Sequence, residues 1–227
     1  YIFPRGRAKV KNRVKPRSST MKNCYVRGFL FYMRLILIRH GKTCDNLKRR
    51  YSGIRDIGLT RAGRQEAKKI KERIKGLKVD RVFCSDLKRS WQTAEIIFGK
   101  RCRMIKNPHL REINFGKWEG LTYNQIVRRY PSTCKRWLKD PFSVSIPKGQ
   151  KLSHFVRKIK NELKKIVDRN TGKTVAVVTH AGVIRVILNT IRGIKKKDFW
   201  QLKINPCSVY IIEYKKQLRP RVYQKNG

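Results

Sequence analysis

Short apolar runs alternate along this chain with stretches in which apolar residues recur every three or four positions. The short runs predict β-strands at residues 34–39, 79–84, 102–105, 174–179 and 209–214. The longer spacing predicts helices between them, because one apolar face of a helix repeats at that spacing. This alternation is typical of an α/β fold, a three-layer sandwich in which helices cover both faces of a mainly parallel sheet.

Capping residues mark where several of the predicted helices begin and end. Thr60 and Thr122 are the expected N-caps of two helices, because their hydroxyls can accept from the free N–H groups of a first turn. Ser85 or Asp86 is expected to cap a third helix, which Gly99 ends. Further helices are predicted at 152–169 and 182–191, and an irregular, Pro- and Ser-rich segment at 131–150.

Both ends of the chain differ from this alternating core. Residues 1–32 include nine basic residues and no acidic one, and they show neither a helical nor a strand period. They are expected to be a disordered or non-native extension, with a transit peptide as the alternative. The domain itself is expected to span residues 33–215, opening at Met33, and residues 216–227 are expected to be a basic tail.

The net charge is extreme, +44 from 58 basic and 14 acidic residues among 227, and it is spread along the whole chain. Such a charge favours anionic partners, namely phosphorylated metabolites, nucleic acids or anionic surfaces. The main interpretation is a solvated basic surface that binds polyanions non-specifically. A dedicated nucleic-acid surface is the alternative, but the chain has no zinc-finger spacing and no RNA-recognition signature.

The number and spacing of cysteines and histidines limit the cellular compartment and the cofactors that can be expected. The six cysteines lie far apart without a C-x-x-C pair, which favours neither a disulfide framework nor a zinc site and fits a cytoplasmic protein. The four histidines are too few, and the carboxylates too scattered, for a two-metal site, so no metal and no other cofactor is expected. No apolar stretch approaches the ~20 residues of a membrane span. The oligomeric state is left open between a monomer and a homodimer.

Two predicted strands each end in a histidine. The strand at 34–39 is followed by His40 and Gly41, and the strand at 174–179 by His180. Ligands bind at strand ends in α/β sheets. A neutral imidazole can accept a phosphoryl group, and the guanidinium of Arg39 can bind two phosphoryl oxygens as a fork. The pattern therefore predicts a phosphate site that contains a nucleophile.

Further motifs stand in a fixed order around these histidines. They read RHGKT at 39–43, YSG at 51–53, LTRAG at 59–63, CSDLKRSWQTA at 84–94, LREINFGKWEG at 110–120 and THAG at 179–182. In this order and spacing the chain resembles the histidine phosphatase superfamily, also called phosphoglycerate mutase-like. The resemblance runs from about residue 33 to residue 214 and implies the fold of that superfamily.

The resemblance also implies a role for each site residue. His40 would be the nucleophile that becomes phosphohistidine, and Arg39 and Arg89 would grip the phosphoryl oxygens. His180 would hydrogen-bond the same group in the transition state. Glu112 would protonate the leaving alkoxide and then deprotonate the attacking water. Three more positions match residues that line the phosphate pocket or its mouth in relatives: Asn46, Ser52 and Gly53.

Several positions depart from the family pattern, among them Arg61 and Lys151, and two departures concern the expected site most. Lys42 stands where relatives usually carry glutamate, and a cation so near His40 would lower the pKa of His40 or crowd the pocket. Gln150 replaces an acidic residue that is common in relatives. Both changes exchange acid for a neutral or basic residue, as does much of the chain.

The segment after Glu112 looks like the phosphatase branch, especially α-ribazole-5′-phosphate phosphatases and broad-specificity relatives. This implies a metal-independent phosphomonoesterase acting on a small phosphorylated metabolite, such as α-ribazole 5′-phosphate in cobalamin synthesis. A phosphoglycerate mutase is one alternative, although residues 130–150 are too few for the insertion typical of mutases. The other alternative is a weakly active member that binds phosphorylated ligands or polyanions.

Overall fold

The structure, a computed structural model, describes residues 31–194, 198–215 and 218–225. The strands are β1 (Phe31–Arg39), β2 (Arg81–Cys84), β3 (Met104–Lys106), β4 (Thr174–Thr179), β5 (Val209–Lys215) and β6 (Leu218–Lys225). The helices are α1 (Cys44–Leu47), α2 (Arg61–Ile74), α3 (Lys88–Phe98), α4 (Tyr123–Arg129), α5 (Pro131–Lys139), α6 (Leu152–Asp168) and α7 (Ala181–Arg192). The predicted extension covers residues 1–32. Residues 1–30 lie outside the described residues, and residues 31 and 32 belong to β1.

One six-stranded sheet runs through the molecule in the order β3-β2-β4-β1-β5-β6. Its first four strands are parallel, and β5 and β6 add two antiparallel strands at one edge. Side chains of β1 alternate between the two faces, because successive residues of a strand point in opposite directions. Leu35 and Leu37 pack with α6 and α7 on one face, and Ile36 and Ile38 pack with α2 and α3 on the other. The predicted three-layer α/β fold is thus confirmed.

Local signals placed several element ends correctly. Thr60 is the N-cap of α2 and its hydroxyl accepts from Gly63 N–H at 3.0 Å, while Thr122 caps α4. Gly193 ends α7 in the left-handed conformation (φ 65°), which glycine adopts without a steric penalty. Strand β4 has the predicted bounds.

The start of α3 and the segment after α4 differ from the prediction. Leu87 is the N-cap of α3, Asp86 accepts from the guanidinium of Arg111 at 2.7 Å, and the first-turn N–H of Lys88 donates to Asp56 at 2.6 Å instead. Residues 131–139 form helix α5 within the segment predicted to be irregular. Pro131 occupies the first turn, where its missing N–H costs nothing, and Trp137 is buried in the core.

Residues 218–225, predicted to lie in a basic tail, form the edge strand β6 instead. This strand pairs antiparallel with β5, with Ile212 opposite Val222. An edge strand tolerates Pro220, because one side of it needs no N–H donors. The domain therefore continues past residue 215. None of the helices among the described residues is long and apolar enough to cross a membrane.

Candidate active site

The two predicted histidines meet at one edge of the sheet. Strands β1 and β4 are parallel neighbours, and Arg39 pairs with Thr179 at their ends. The N–H of His40 donates to the carbonyl of Thr179 at 2.9 Å, and His180 is the N-cap of α7. The two imidazole centroids are consequently 5.2 Å apart. Both rings are buried, so they share a low-dielectric setting.

A cavity of about 410 Å³ opens beside His40. The predicted site residues that line it are Arg39, His40, Asn46, Ser52, Arg89 and Glu112. His180 is not in the lining, and its ring lies against that of His40 instead. Gly53 is not in the lining either, and its carbonyl accepts from the guanidinium of Arg89 at 2.6 Å. The structure thus brings together most of the predicted residues around one cavity.

The imidazole of His40 is held in the tautomer that a nucleophile needs. Its Nδ1 lies 2.8 Å from the carbonyl oxygen of Gly41, which can only accept, so Nδ1 carries the proton. The lone pair is therefore on Nε2, where the Nε–H of Arg89 donates to it at 3.3 Å. Burial lowers the pKa of His40 well below its usual value, and the cations Arg89 and Arg39 lower it further. His40 is thus neutral near pH 7.

Arg89 stands in the first turn of α3 and is almost completely buried. Its Nη1 donates to the carbonyl of Arg55 and its Nη2 to that of Gly53, both at 2.6 Å. Together with the contact to His40, these bonds fix the guanidinium plane. Burial lowers the pKa of Arg89 to about 10, so it stays cationic at neutral pH. A fixed cation beside the nucleophile suits the stabilisation of charge on a transferring phosphoryl group.

Arg39 provides the second guanidinium at the site. Its Nη1 donates to the carbonyl of Ile204 at 2.6 Å, and burial lowers its pKa to about 10. In the described part of the chain, the buried polar atoms around this region that lack hydrogen-bond partners include Arg39 Nε, Arg50 Nε, Ser52 Oγ and both ring nitrogens of His180. Buried polar atoms without partners cost free energy, so these groups are suited to meet the oxygens of a bound anion.

Glu112 lies in the loop that follows β3, and backbone donors hold both of its oxygens. Oε1 accepts from Ile113 N–H at 3.0 Å, and Oε2 accepts from Gly182 N–H at 2.8 Å in the first turn of α7. A Cβ atom at Gly182 would lie 2.2 Å from Oε1, so any larger residue would displace the carboxylate. The glycine of the THAG motif therefore determines where Glu112 sits.

Residues 35–224 match the model of the histidine phosphatase superfamily (branch 1). The chain belongs to this superfamily. This agrees with the geometry, since the matched segment contains every residue of the cavity described above.

Individual relatives carry different names within the superfamily. Phosphoserine phosphatase 1 of Hydrogenobacter thermophilus is 29% identical over 181 residues, which are 79% of this chain and 86% of that protein. Phosphoglycerate mutase-like protein 4 of Arabidopsis thaliana is 34% identical over 170 residues, covering 73% and 74% of the two chains. The α-ribazole phosphatase of Shigella flexneri superposes with a TM-score of 0.78 at 24% identity, covering 86% and 96%. This last similarity concerns the fold.

The structure shows the contacts of Lys42 and Gln150, two departures from the family pattern in this histidine phosphatase. The ammonium of Lys42 pairs with Glu66 at 2.6 Å, which raises the pKa of Lys42 and balances its charge. The lowered pKa of His40 comes from burial and the two arginines instead. Gln150 is outside the cavity lining, and its N–H donates to the carbonyl of Asn114 at 2.9 Å.

Sequence reasoning missed Arg185, which lines the same cavity from α7. The signal was present, because Arg185 is the one charged residue of the apolar stretch 181–191. It also follows Gly182 by three positions, a spacing that places both residues on one side of a helix.

We expect acidification to destabilise this enzyme through its buried histidines. Burial and nearby cations lower the pKa values of His40 and His180 well below 6.5 in the folded state. Below pH 6.5 the unfolded chain therefore binds protons that the folded chain does not. The free energy of unfolding should therefore fall as the pH is lowered from 7.5 to 5.5, by at most roughly 3 kcal/mol for the two groups. Urea unfolding at constant ionic strength measures this difference.

His180→Asn provides the control for that prediction. With one of the two histidines removed, the difference between pH 7.5 and pH 5.5 should shrink by about half. An unchanged difference in this variant would show that other groups cause the pH dependence.

Proposed function

We propose that this protein is a metal-independent phosphomonoesterase that hydrolyses a small phosphorylated metabolite through a phosphohistidine at His40. The observation that carries this proposal is the neutral imidazole of His40, whose Nε2 lone pair faces the buried guanidinium of Arg89. Arg39 and Arg89 supply the positive charge that a phosphoryl group needs during transfer.

In the first step His40 Nε2 attacks phosphorus as the bond between phosphorus and the ester oxygen breaks. Arg39 and Arg89 bind the equatorial oxygens of the phosphoryl group. Glu112, in its protonated form, gives its proton to the leaving alkoxide, so the alcohol departs neutral. The phosphoryl group remains on His40, and Glu112 is left as a carboxylate.

In the second step water attacks the phosphohistidine. Glu112 takes a proton from that water while the bond between phosphorus and Nε2 breaks, which regenerates neutral His40 and protonated Glu112 and releases inorganic phosphate. Backbone bonds to both oxygens of Glu112 keep the carboxyl group in place through both steps. One residue thus acts as acid and then as base.

One side of the cavity is open to solvent, as hydrolysis of a phosphohistidine requires. A mutase must keep water from its phosphohistidine until the second substrate takes the phosphoryl group. Here Leu47 lines the cavity with 61% of its surface exposed, and the Lys42 side chain in the lining is 42% exposed. Water can therefore reach the cavity from this side.

We further propose α-ribazole 5′-phosphate and phosphoserine as the first substrates to test. The fold of the Shigella flexneri α-ribazole phosphatase supports the first, which would place the reaction in cobalamin nucleotide-loop synthesis. The relative from Hydrogenobacter thermophilus supports the second. Both compounds are phosphomonoesters of an alkyl alcohol and need the proton that Glu112 provides.

The test measures phosphate release from p-nitrophenyl phosphate and from both candidates in excess EDTA. A rapid alkaline quench should preserve a protein-bound phosphate that acid releases, as expected for phosphohistidine, and peptide mapping should place it on His40. His154→Ala is the matched control, because His154 is exposed on α6 and should not affect labelling.

Three outcomes would contradict the proposal. Activity that EDTA removes and a divalent metal restores would contradict metal independence. Interconversion of phosphoglycerates with slow release of phosphate would indicate a mutase. Binding of phosphorylated ligands or of heparin without any turnover would indicate a binding protein.

A further inference from the structure

The cavity holds more positive charge than one phosphoryl group requires. Beyond Arg39 and Arg89, five basic side chains of the described chain line it: Lys42, Arg49, Arg50, Arg185 and Lys203. Arg185 differs from a solvated surface cation, because burial lowers its pKa to about 10. It remains charged near neutral pH, and an anion bound in the cavity would offset the cost of its partial burial.

The guanidinium of Arg185 is fixed on one side and available on the other. Its Nε donates to the carbonyl of Leu202 at 3.1 Å, and its central carbon lies 4.9 Å from the centre of the Trp200 ring. Among the described residues, the carbonyl of Leu202 is its single hydrogen-bond partner. The N–H groups of Nη1 and Nη2 are therefore available to a ligand. This fixed planar fork is suited to a bidentate anion.

Arg185 also lies beside the reaction centre. It follows Gly182, the donor to Glu112, by one turn of α7, and both residues line the cavity. Glu112 lines the same cavity, and its carboxylate opposes the effect of burial on the pKa of Arg185. A ligand whose phosphoryl group meets His40 can therefore reach Arg185 with another part of the same molecule.

We infer that Arg185 binds a carboxylate of the substrate, so that the preferred substrate is a phosphomonoester that also carries a carboxylate. This inference rests on the proposed phosphatase activity and specifies its substrate class. Geometry favours a carboxylate, since Arg185 is a further guanidinium that is fixed in the cavity wall, and its planar fork matches the two oxygens of a carboxylate. Arg185 would then determine specificity, while chemistry stays with His40 and Glu112.

Two substrate pairs test this inference, because the members of each pair differ only by a carboxylate. They are phosphoserine with O-phosphoethanolamine, and 3-phosphoglycerate with 2-hydroxyethyl phosphate. In at least one pair the wild-type kcat/KM should be about tenfold or more higher for the carboxylate. Arg185→Gln should lower that ratio by about tenfold or more, and Arg185→Lys should retain part of the preference.

Arg192→Gln is the matched control, because Arg192 is exposed on the same helix and outside the cavity lining. It should keep the wild-type ratio. An equal fall for both members of a pair in Arg185→Gln would overturn the inference, since a residue that merely supports Glu112 would affect all substrates alike. Equal wild-type kcat/KM values within both pairs would overturn it as well.

A binding measurement separates this inference from the proposed function. If the protein hydrolyses none of these compounds, the phosphatase proposal fails, and calorimetric titration with both pairs then decides the role of Arg185. Tighter binding of the carboxylate compound, lost in Arg185→Gln, would support the inference, and equal binding within the pairs would overturn it. If Arg185→Gln does not fold, the preference for the carboxylate compound within each pair is compared between the wild type and Arg185→Lys, and the same outcomes support or overturn the inference.

Discussion

Replacing His40 by alanine is expected to lower kcat/KM for p-nitrophenyl phosphate by about 10⁴-fold or more, because the nucleophile is lost. Two neighbouring groups, Cys84 and His180, are poorly suited to take over this role. Cys84 is buried, and burial raises its pKa to about 11, which leaves it protonated. His180 lacks the backbone acceptor that fixes the tautomer of His40. Steady-state assays of the purified wild type and variant in EDTA measure the loss of kcat/KM.

His154→Ala serves as the control for general effects of removing an imidazole, and it should keep wild-type kcat/KM. Thermal unfolding of His40→Ala checks that the fold persists, since Arg89 loses one of its contacts in this variant. A His40→Ala protein that is folded and retains more than about a hundredth of wild-type kcat/KM would show that another group accepts the phosphoryl group.

The central part of the fold was predictable because its signals are local. The apolar run 174–179 could only be a buried strand, and Thr60 and Gly193 mark helix ends through their own conformational preferences. The placement of His40 and His180 at one edge also followed, because parallel strands deliver their carboxyl ends to the same side of a sheet.

The errors arose where tertiary contacts outweigh local preference. Helix α5 begins at Pro131, where the sequence predicts an irregular segment. It is stabilised by burial of Trp137 against the aromatic rings of Trp118 and Trp200. Strand β6 is rich in basic residues and contains a proline, so its pairing with β5 left no signal in its own composition. The aromatic rings that pack on α5 and the strand that pairs with β6 lie elsewhere in the sequence, so neither segment indicates its partner.

The site shows the same division. The two strand-end histidines and the resemblance to the superfamily predict a phosphoryl-transfer site at positions 40, 89, 112 and 180. The carbonyl that selects the tautomer of His40 and the amides that hold Glu112 could not be predicted, because they are backbone groups whose positions depend on the folded chain. Arg185 was missed because a lone arginine on an apolar helix usually extends to solvent.

The charge of the chain affects encounter with substrate more than it affects the chemistry. A protein with a formal charge of +44 attracts anions from all sides, and salt should weaken this attraction. Around His40, however, hydrogen bonds fix the guanidinium groups of Arg39 and Arg89, and Lys42 is paired with Glu66. Systematic exchange of acidic for basic residues on the surface is thus compatible with an intact site.

Replacing Arg89 by methionine is expected to lower kcat/KM by about 10³-fold. Arg89 is the cation beside the nucleophilic nitrogen of His40, and methionine keeps much of its bulk while it removes the charge and all donors. Arg89→Lys keeps the charge, but a single ammonium cannot reach His40 and the carbonyls of Gly53 and Arg55 in the same planar arrangement. We therefore expect lysine to restore about tenfold of the loss at most.

Lys88→Met is the matched control for Arg89→Met. Lys88 precedes Arg89 in the first turn of α3, is exposed, and forms a long ion pair with Asp56 at 3.7 Å. Loss of this exposed charge should change kcat/KM less than about twofold, because surface ion pairs contribute little. If Arg89→Met folds and loses no more activity than Lys88→Met, the buried guanidinium acts as a structural support for the Gly53 and Arg55 carbonyls and does not stabilise the transferring phosphoryl group.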